Sequence, residues 1–273
     1  MKQVIAVLFL VFTVSFSFSQ TEVKSKPLTI GEVKTIHSKV LNENRTLNVY
    51  LPSTYDAAKA YPVIYVLDGS INEDFIHVVG LVQFFNLQFK MPDVIVVGIA
   101  NVDRKRDFTF HTNLKSLKKN YPTTGHSKSF ITFLETELQP YIEKTYKTTN
   151  EKYLIGQSLG GLLATEVLLK KQSLFTHYLI VSPSLWWDDE SMLNEANMLF
   201  SHQPDVETYV YVSVGKEEDP IMQREASAIA EVLKSSGKEH LTVDYLLMDN
   251  ENHATILHRS LYEGFLKLFP YKD

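Results

Sequence analysis

The sequence predicts an α/β fold in which helices cover both faces of a mostly parallel central sheet. Apolar runs of strand length, such as residues 62–67 and 94–100, alternate along the chain with segments of helical pattern. Strands that are apolar throughout are typical of a parallel sheet that is buried on both faces. Of the 273 residues, 44% are hydrophobic and 22% are charged, so the chain can bury a substantial core.

The individual strands and helices follow from the same patterns. We expect strands at 33–40, 47–51, 62–67, 94–100, 153–156, 176–182, 209–214 and 241–248, and helices at 75–89, 127–146, 159–171, 220–234 and 254–268. No helical pattern separates the first two strands, so we expect them to form an antiparallel edge of the sheet. The short stretch between residues 182 and 209 leaves little room for a large lid.

The N-terminus has the pattern of a secretory signal peptide. Lys2 provides a positive charge, an apolar run follows it, and Ser17-Phe18-Ser19 resembles a small-x-small cleavage site. The apolar run is shorter than the ~20 residues that a membrane-spanning helix needs, although an uncleaved anchor or a buried strand is the alternative. We therefore expect an exported protein, periplasmic or extracellular, with a signal peptide at 1–19, a lead-in at 20–30 and a single domain at 31–273.

Composition excludes several classes of function. The chain has no cysteine, which rules out disulfides, thiolate metal sites and cysteine nucleophiles. Its net charge is −5, from 27 basic and 32 acidic residues, so no basic face indicates a nucleic-acid partner. No metal-binding spacing such as H-E-x-x-H occurs, and we expect neither a metal nor another cofactor.

A five-residue motif predicts a catalytic serine. Residues 156–160, Gly-Gln-Ser-Leu-Gly, match G-x-S-x-G and lie between an apolar strand and an apolar helix, where a nucleophile elbow occurs. The serine of such an elbow sits in a strained turn, and a side chain two residues away would collide with the neighbouring strand or helix. The motif predicts Ser158 as the nucleophile of an α/β-hydrolase fold without a large lid. A plain glycine-rich turn is the alternative.

The serine needs a general base and a carboxylate that orients it. His253 follows the last predicted strand and precedes the final helix, where the base of this fold is expected. The acidic run after Gly215 follows the strand between serine and histidine, and we choose Glu218 from it, with Asp219 second. The resulting order of serine, acid and histidine is the one expected for the fold. The alternative is that this run caps the next helix.

Two backbone N–H groups should bind the oxyanion that forms when the serine attacks. One is that of Leu159, next to the nucleophile. The other should come from the loop after strand 62–67, where Gly69 allows close backbone approach, and we choose Ser70 as its donor.

Six motifs in order give the chain a family resemblance. They are YVLDG (65–69), R-x-R-D-F-T (104–109), GQSLGG (156–161), SPSLWW (182–187), GKEED (215–219) and ENH (251–253). With them the chain resembles the esterase D-like family of α/β hydrolases, nearest to its siderophore-esterase branch. The resemblance implies a serine esterase in which Ser158 and His253 are the working pair. The family also contains feruloyl and acetylxylan esterases, S-formylglutathione hydrolases and mycolyltransferases.

The same motifs suggest substrate contacts and leave rival functions open. Arg106 is a candidate for binding an anionic or catecholate substrate, and a salt bridge to Asp107 or another carboxylate is the alternative. Trp186 and Trp187 are candidates for the wall of an aromatic acyl pocket, with one of them in the core. Where the family usually continues with proline after R-D-[FY]-T, this chain has Phe110. We expect a small-molecule ester as substrate; an acyltransferase and a non-catalytic binding protein are the rivals.

Overall fold

A computed structural model describes residues 24–272, which contain an eight-stranded sheet flanked by helices. The strands are β1 (Glu32–Ser38), β2 (Glu43–Tyr50), β3 (Tyr61–Val66), β4 (Ile95–Ile99), β5 (Thr148–Gln157), β6 (His177–Val181), β7 (Thr208–Gly215) and β8 (Leu241–Met248). Their order in the sheet is β1-β2-β4-β3-β5-β6-β7-β8. β2 pairs antiparallel with both β1 and β4, and the remaining pairs are parallel. The predicted fold class and its antiparallel edge are therefore confirmed.

The helices connect the strands and cover the sheet. They are α1 (Phe75–Gln88), α2 (Arg104–Phe108), α3 (Lys115–Asn120), α4 (Ser127–Phe133), α5 (Gln139–Thr145), α6 (Leu159–Lys171), α7 (Ser191–Ser201), α8 (Pro220–Lys234) and α9 (Ile256–Leu268). A π-helical turn over Leu134–Leu138 joins α4 to α5, so the predicted helix at 127–146 is one rod of three parts. In the part of the chain that is described, no helix is both long and apolar enough to cross a bilayer.

Alternate residues of each parallel strand enter two separate cores. Val63 and Tyr65 of β3 pack into the core with α4, α5, α6 and α8. Ile64 and Val66 of the same strand pack into the core with α1 and α9 on the opposite face. A strand that is buried on both faces needs apolar residues at every position, which explains the unbroken apolar runs of the sequence.

The main differences from the predicted elements concern two strands and three helices. β2 begins at Glu43 rather than at 47. β5 begins at Thr148 rather than at 153, because its first half is polar and largely exposed and therefore has no apolar pattern. The short helices α2 and α3 were not predicted, nor was α7, which buries only Met192, Ala196 and Phe200. α7 lies in the short stretch between β6 and β7. The parallel strands all end at one edge of the sheet, where ligands of α/β folds bind.

Candidate active site

The turn between β5 and α6 holds Ser158 in a strained backbone conformation. Its φ of 60° and ψ of −120° lie in a region that residues with a side chain rarely adopt. The Ser158 N–H donates to the carbonyl of Val181 on β6, at 3.0 Å. A Cβ on Gly156 would lie 2.4 Å from the carbonyl oxygen of Gly160. The geometry is therefore that of a sharp strand-to-helix turn that needs glycine two residues before the serine.

Glu218 and His253 are joined by a hydrogen bond of 2.7 Å between Oε2 and Nδ1. The other carboxyl oxygen of Glu218 accepts from the Ser182 hydroxyl at 2.5 Å and from the Gly215 N–H at 2.8 Å. Burial by itself raises the pKa of Glu218, but the hydrogen bonds from His253, Ser182 and Gly215 outweigh it and lower that pKa below its usual value. Glu218 is thus an ionised acceptor that holds the imidazole at its Nδ1 edge.

Asp219, the second choice for the acid, has a different position. Its carboxylate accepts from the Ile221 N–H at 2.8 Å and caps the N-terminus of α8. The acidic run therefore contains both the partner of His253 and a helix cap, because the chain turns into α8 between these two neighbours.

Ser158 and His253 reach the same edge of the sheet from β5 and from the loop after β8. Gln157, next to Ser158, donates from its side chain to the carbonyl oxygen of His253 at 2.6 Å. The Ser158 hydroxyl lies 3.4 Å from that of Ser184, and within residues 24–272 no hydrogen bond joins it to His253. Catalytic hydrogen bonds are often long in unliganded sites and shorten when substrate binds.

The two expected oxyanion donors differ in their surroundings. Leu159 is the first residue of α6, so its N–H has no acceptor within the helix and lies at the end that favours negative charge. The Ser70 N–H donates only a long hydrogen bond, of 3.4 Å, to Oε2 of Glu73. The loop is held against the sheet, since Asn48 donates to the carbonyl of Gly69 at 2.8 Å. A Cβ on Gly69 would lie 2.4 Å from the Gly98 Cα, which explains the glycine.

Arg104 is a site residue that the sequence reasoning missed. Its guanidinium forms a two-point salt bridge with Asp68, at 2.6 and 2.8 Å, and also donates to the carbonyl of Gln157 at 3.2 Å. It therefore links the loop that carries Ser70 to the turn that carries Ser158. The R-x-R-D-F-T motif marked the region, but its spacing does not say which arginine faces the site.

Arg106, the predicted substrate contact, forms salt bridges with two carboxylates. Its guanidinium contacts Glu43 at 2.6 and 3.0 Å and Asp107 at 2.8 Å. Asp107 is fully buried and also pairs with the buried Arg45 at 2.7 Å. A buried carboxylate needs such partners, so the salt-bridge alternative describes Arg106 in this structure, and its contact with substrate stays a prediction.

The two tryptophans divide between core and surface. Trp187 is fully buried and donates from its indole to the carbonyl of Phe110 at 3.0 Å. Trp186 is half-buried, two residues after Ser184, and its ring centre is 6.4 Å from that of Tyr121. Nζ of Lys105 lies 4.8 Å from the centre of the Tyr121 ring. A partly exposed aromatic surface with a nearby cation thus follows the strand next to Ser158.

Ser182 and Ser184 are also site residues that were not singled out, although SPSLWW was noted as a motif. Ser182 donates a hydrogen bond to Glu218, and the Ser184 hydroxyl lies 3.4 Å from that of Ser158. Their roles depend on contacts between distant segments, and no local pattern distinguishes them from other serines.

Comparison with known proteins identifies the family of the chain. Residues 38–259 match the family described as "Putative esterase". The chain is 28% identical over 256 residues to ferri-bacillibactin esterase BesA of Bacillus subtilis (strain 168), over 83% of this chain and 85% of BesA. An IroE-like serine hydrolase from Shewanella oneidensis superposes with a TM-score of 0.80 at 30% identity, over 88% of this chain and 80% of that one. The BES protein from Bacillus cereus superposes with a TM-score of 0.78 at 28% identity, over 90% and 97% of the two chains. The family match spans well over half of the sequence, and the chain therefore belongs to this esterase family.

Proposed function

We propose that this carboxylic ester hydrolase works through an acyl-serine intermediate, with Ser158 as nucleophile, His253 as base and Glu218 as the residue that orients the base. The observation that carries the proposal is the 2.7 Å hydrogen bond between Glu218 and His253, at the sheet edge where Ser158 occupies its strained turn. Membership of an esterase family supports the reaction class.

The proposed steps use one proton carrier throughout. Because Glu218 accepts from Nδ1, the Nε2 atom of His253 is the free base. It takes the proton of Ser158 as the hydroxyl attacks the ester carbonyl, and the N–H groups of Leu159 and Ser70 bind the resulting oxyanion. His253 then gives the proton to the departing alcohol. Water, deprotonated in the same way, hydrolyses the acyl-serine and releases the acid.

We propose a siderophore-type ester as the substrate, with aryl and acyl-carbohydrate esters as alternatives. BesA is named for its action on ferri-bacillibactin, and it aligns with this chain along most of both sequences. The half-buried Trp186, together with Tyr121 and Lys105, supports an aromatic or anionic group beside the scissile ester.

We also propose that the enzyme is exported to the periplasm or the medium. The support is the signal-peptide pattern of residues 1–19, which lie outside the described part of the chain. N-terminal sequencing of the protein recovered from the exported fraction should begin at Gln20 or Thr21; an intact Met1 there would contradict cleavage.

The proposed function is tested with a panel of esters that includes a triscatecholate lactone, a feruloyl sugar and a simple acetyl ester. Ser158→Ala should lower turnover about 10⁶-fold, as loss of the nucleophile does in a serine protease. A fluorophosphonate probe should label the wild type and Ser184→Ala but not Ser158→Ala. Activity or labelling that survives in Ser158→Ala would remove Ser158 from the mechanism.

A further inference from the structure

A second buried carboxyl lies close to the site and takes no part in the proposed mechanism. Glu225, in the second turn of α8, is fully buried. In the described part of the chain neither of its carboxyl oxygens has a hydrogen-bond partner. The backbone N–H of Trp186 and the Arg224 guanidinium, whose Nη2 lies 3.5 Å from Oε1, both favour the ionised form of this carboxyl. A buried acid without close hydrogen bonds is costly when ionised, and this one lies under the segment that carries Trp186.

That segment, residues 182–190, is held in an unusual backbone conformation. Asp188, Asp189 and Glu190 have φ values of 52°, 55° and 59°, three consecutive left-handed residues without a glycine. Side chains hold the turn in place. Asp188 accepts from the Thr112 hydroxyl at 2.5 Å, and Glu190 forms a salt bridge with Arg224. Backbone strain of this kind persists only where the surroundings enforce it, so a new charge beneath the turn can change its position.

We propose that Glu225 is a positioning residue for the Trp186 side of the site, and that ionisation of its carboxyl displaces Trp186 from the position seen in the structure. When neutral, the carboxyl can stay in its dry pocket below the turn. When ionised, it attracts the Arg224 guanidinium, whose Nη2 lies 3.5 Å from Oε1 and also pairs with Glu190 in the turn. A shift of Arg224 towards Glu225 weakens that support of the segment. The inference rests on the proposed function, because Trp186 affects catalysis only if substrate binds beside Ser158.

The charges around Glu225 set the pH at which this occurs. Burial, together with the negative charges of Glu190 and Asp219, raises the pKa of Glu225 to about 7, although Arg224 acts in the opposite direction. From α7, which packs against α8, the acidic side chain is Glu195, and it is exposed.

β8 packs against the same helix and contributes no opposing charge at this point. Tyr245 of β8 is hydrogen-bonded to Ser227 of α8. Asp244 bonds to Tyr209 and pairs with Lys267 of α9 instead. The transition is therefore expected close to neutral pH, where the carboxyl of Glu225 gains its charge.

The chain contains a built-in probe of this movement. Its two tryptophans are Trp186 and Trp187, so intrinsic fluorescence reports on the segment above Glu225. Emission of the wild type, followed from about pH 5 to about pH 9, should change with a midpoint near neutrality. Glu225→Gln, which mimics the neutral acid, should abolish the change, and Trp186→Phe should remove most of its amplitude. Glu231→Gln, an exposed change on the same helix, should titrate like the wild type.

A catalytic readout separates positioning from a purely structural role. The ratio of kcat/KM for an aryl ester to that for an acetyl ester cancels the titration of His253, which both reactions share. This ratio should fall severalfold across neutral pH in the wild type and stay constant in Glu225→Gln. If Glu225→Gln does not fold, Arg224→Gln provides the test, because loss of the positive charge should move the fluorescence midpoint to higher pH.

Two results would overturn the proposal. One is wild-type emission that stays constant over this pH range while circular dichroism shows a folded protein. The other is a Glu225→Gln titration that matches the wild type. Because fluorescence needs no substrate, either result is distinguishable from failure of the proposed reaction, which Ser158→Ala tests.

Discussion

Glu218 and Glu225 are two buried carboxyls on either side of the start of α8, and they have opposite chemistry. Glu218 receives hydrogen bonds from His253, Ser182 and Gly215, and its pKa is lowered despite burial. Glu225 has no hydrogen bond of ordinary length, only the Arg224 guanidinium at 3.5 Å, and burial raises its pKa to about 7. The difference teaches that the number of donors around a buried carboxyl, rather than burial itself, decides whether it is charged at neutral pH.

The largest effect is expected from a substitution of Glu218, the charged member of this pair. Glu218→Gln should lower kcat/KM by about 10⁴-fold, as the matching change does in a serine protease, because the amide cannot hold His253 in the right tautomer. Glu225→Gln, assayed near pH 6, should stay within about twofold of the wild type, since it mimics the neutral acid present there. Steady-state kinetics with one ester checks both, and a Glu218→Gln enzyme of near-normal activity would mean that the serine and histidine suffice.

The second expected effect is a pH dependence of stability with opposite signs at the two positions. Glu225 has a raised pKa in the folded state, so its ionisation weakens folding as pH rises from about 4.5 to about 7, by at most about 3.4 kcal/mol. Glu218 has a lowered pKa, so its contribution is present above about pH 4.5 and is lost as pH falls below that value.

Urea unfolding at a series of pH values measures these two contributions. Glu225→Gln should remove the decline near neutrality and keep the loss in acid, whereas Glu218→Gln should do the reverse. Identical pH profiles for the two variants would contradict the comparison.

A smaller effect should follow from removing one of the three donors to Glu218. Ser182→Ala takes away the 2.5 Å hydrogen bond and leaves those from Gly215 and His253, so we expect about a tenfold fall in kcat/KM. Ser182→Thr keeps the hydroxyl and should restore most of the activity. The comparison is made at saturating and at low substrate; a loss confined to KM would point to substrate binding instead of support for the acid.

The smallest effect tests the neighbour of Glu218. Asp219→Ala should cost about 1 kcal/mol of stability through the lost cap of α8, with kcat within about twofold of the wild type. Urea unfolding and initial rates measured on one preparation check this prediction. A large fall in kcat at unchanged stability would make Asp219, and not Glu218, the acid that serves His253.

Some parts of the site were predictable because they depend on local order along the chain. A serine between an apolar strand and an apolar helix, with glycine two residues away, can occupy only a sharp turn, so Ser158 was identifiable. The choice between Arg104 and Arg106 was not, because it depends on which buried carboxylate lies nearer in space. Arg106, the predicted substrate contact, pairs with Glu43 and Asp107. Arg104 instead donates to the carbonyl of Gln157, next to Ser158.

The sequence by itself determined the fold class, the burial of the parallel strands on both faces of the sheet, and the segment that supplies the candidate nucleophile. These features come from periodicity and turn chemistry, which act between residues that are close along the chain. Only the tertiary structure decided the partners of each charged group, such as the three hydrogen bonds to Glu218 and the longer 3.5 Å ion pair of Glu225. Hydrogen bonds and desolvation depend on distances of a few ångströms between segments far apart in sequence, and no linear pattern records those distances.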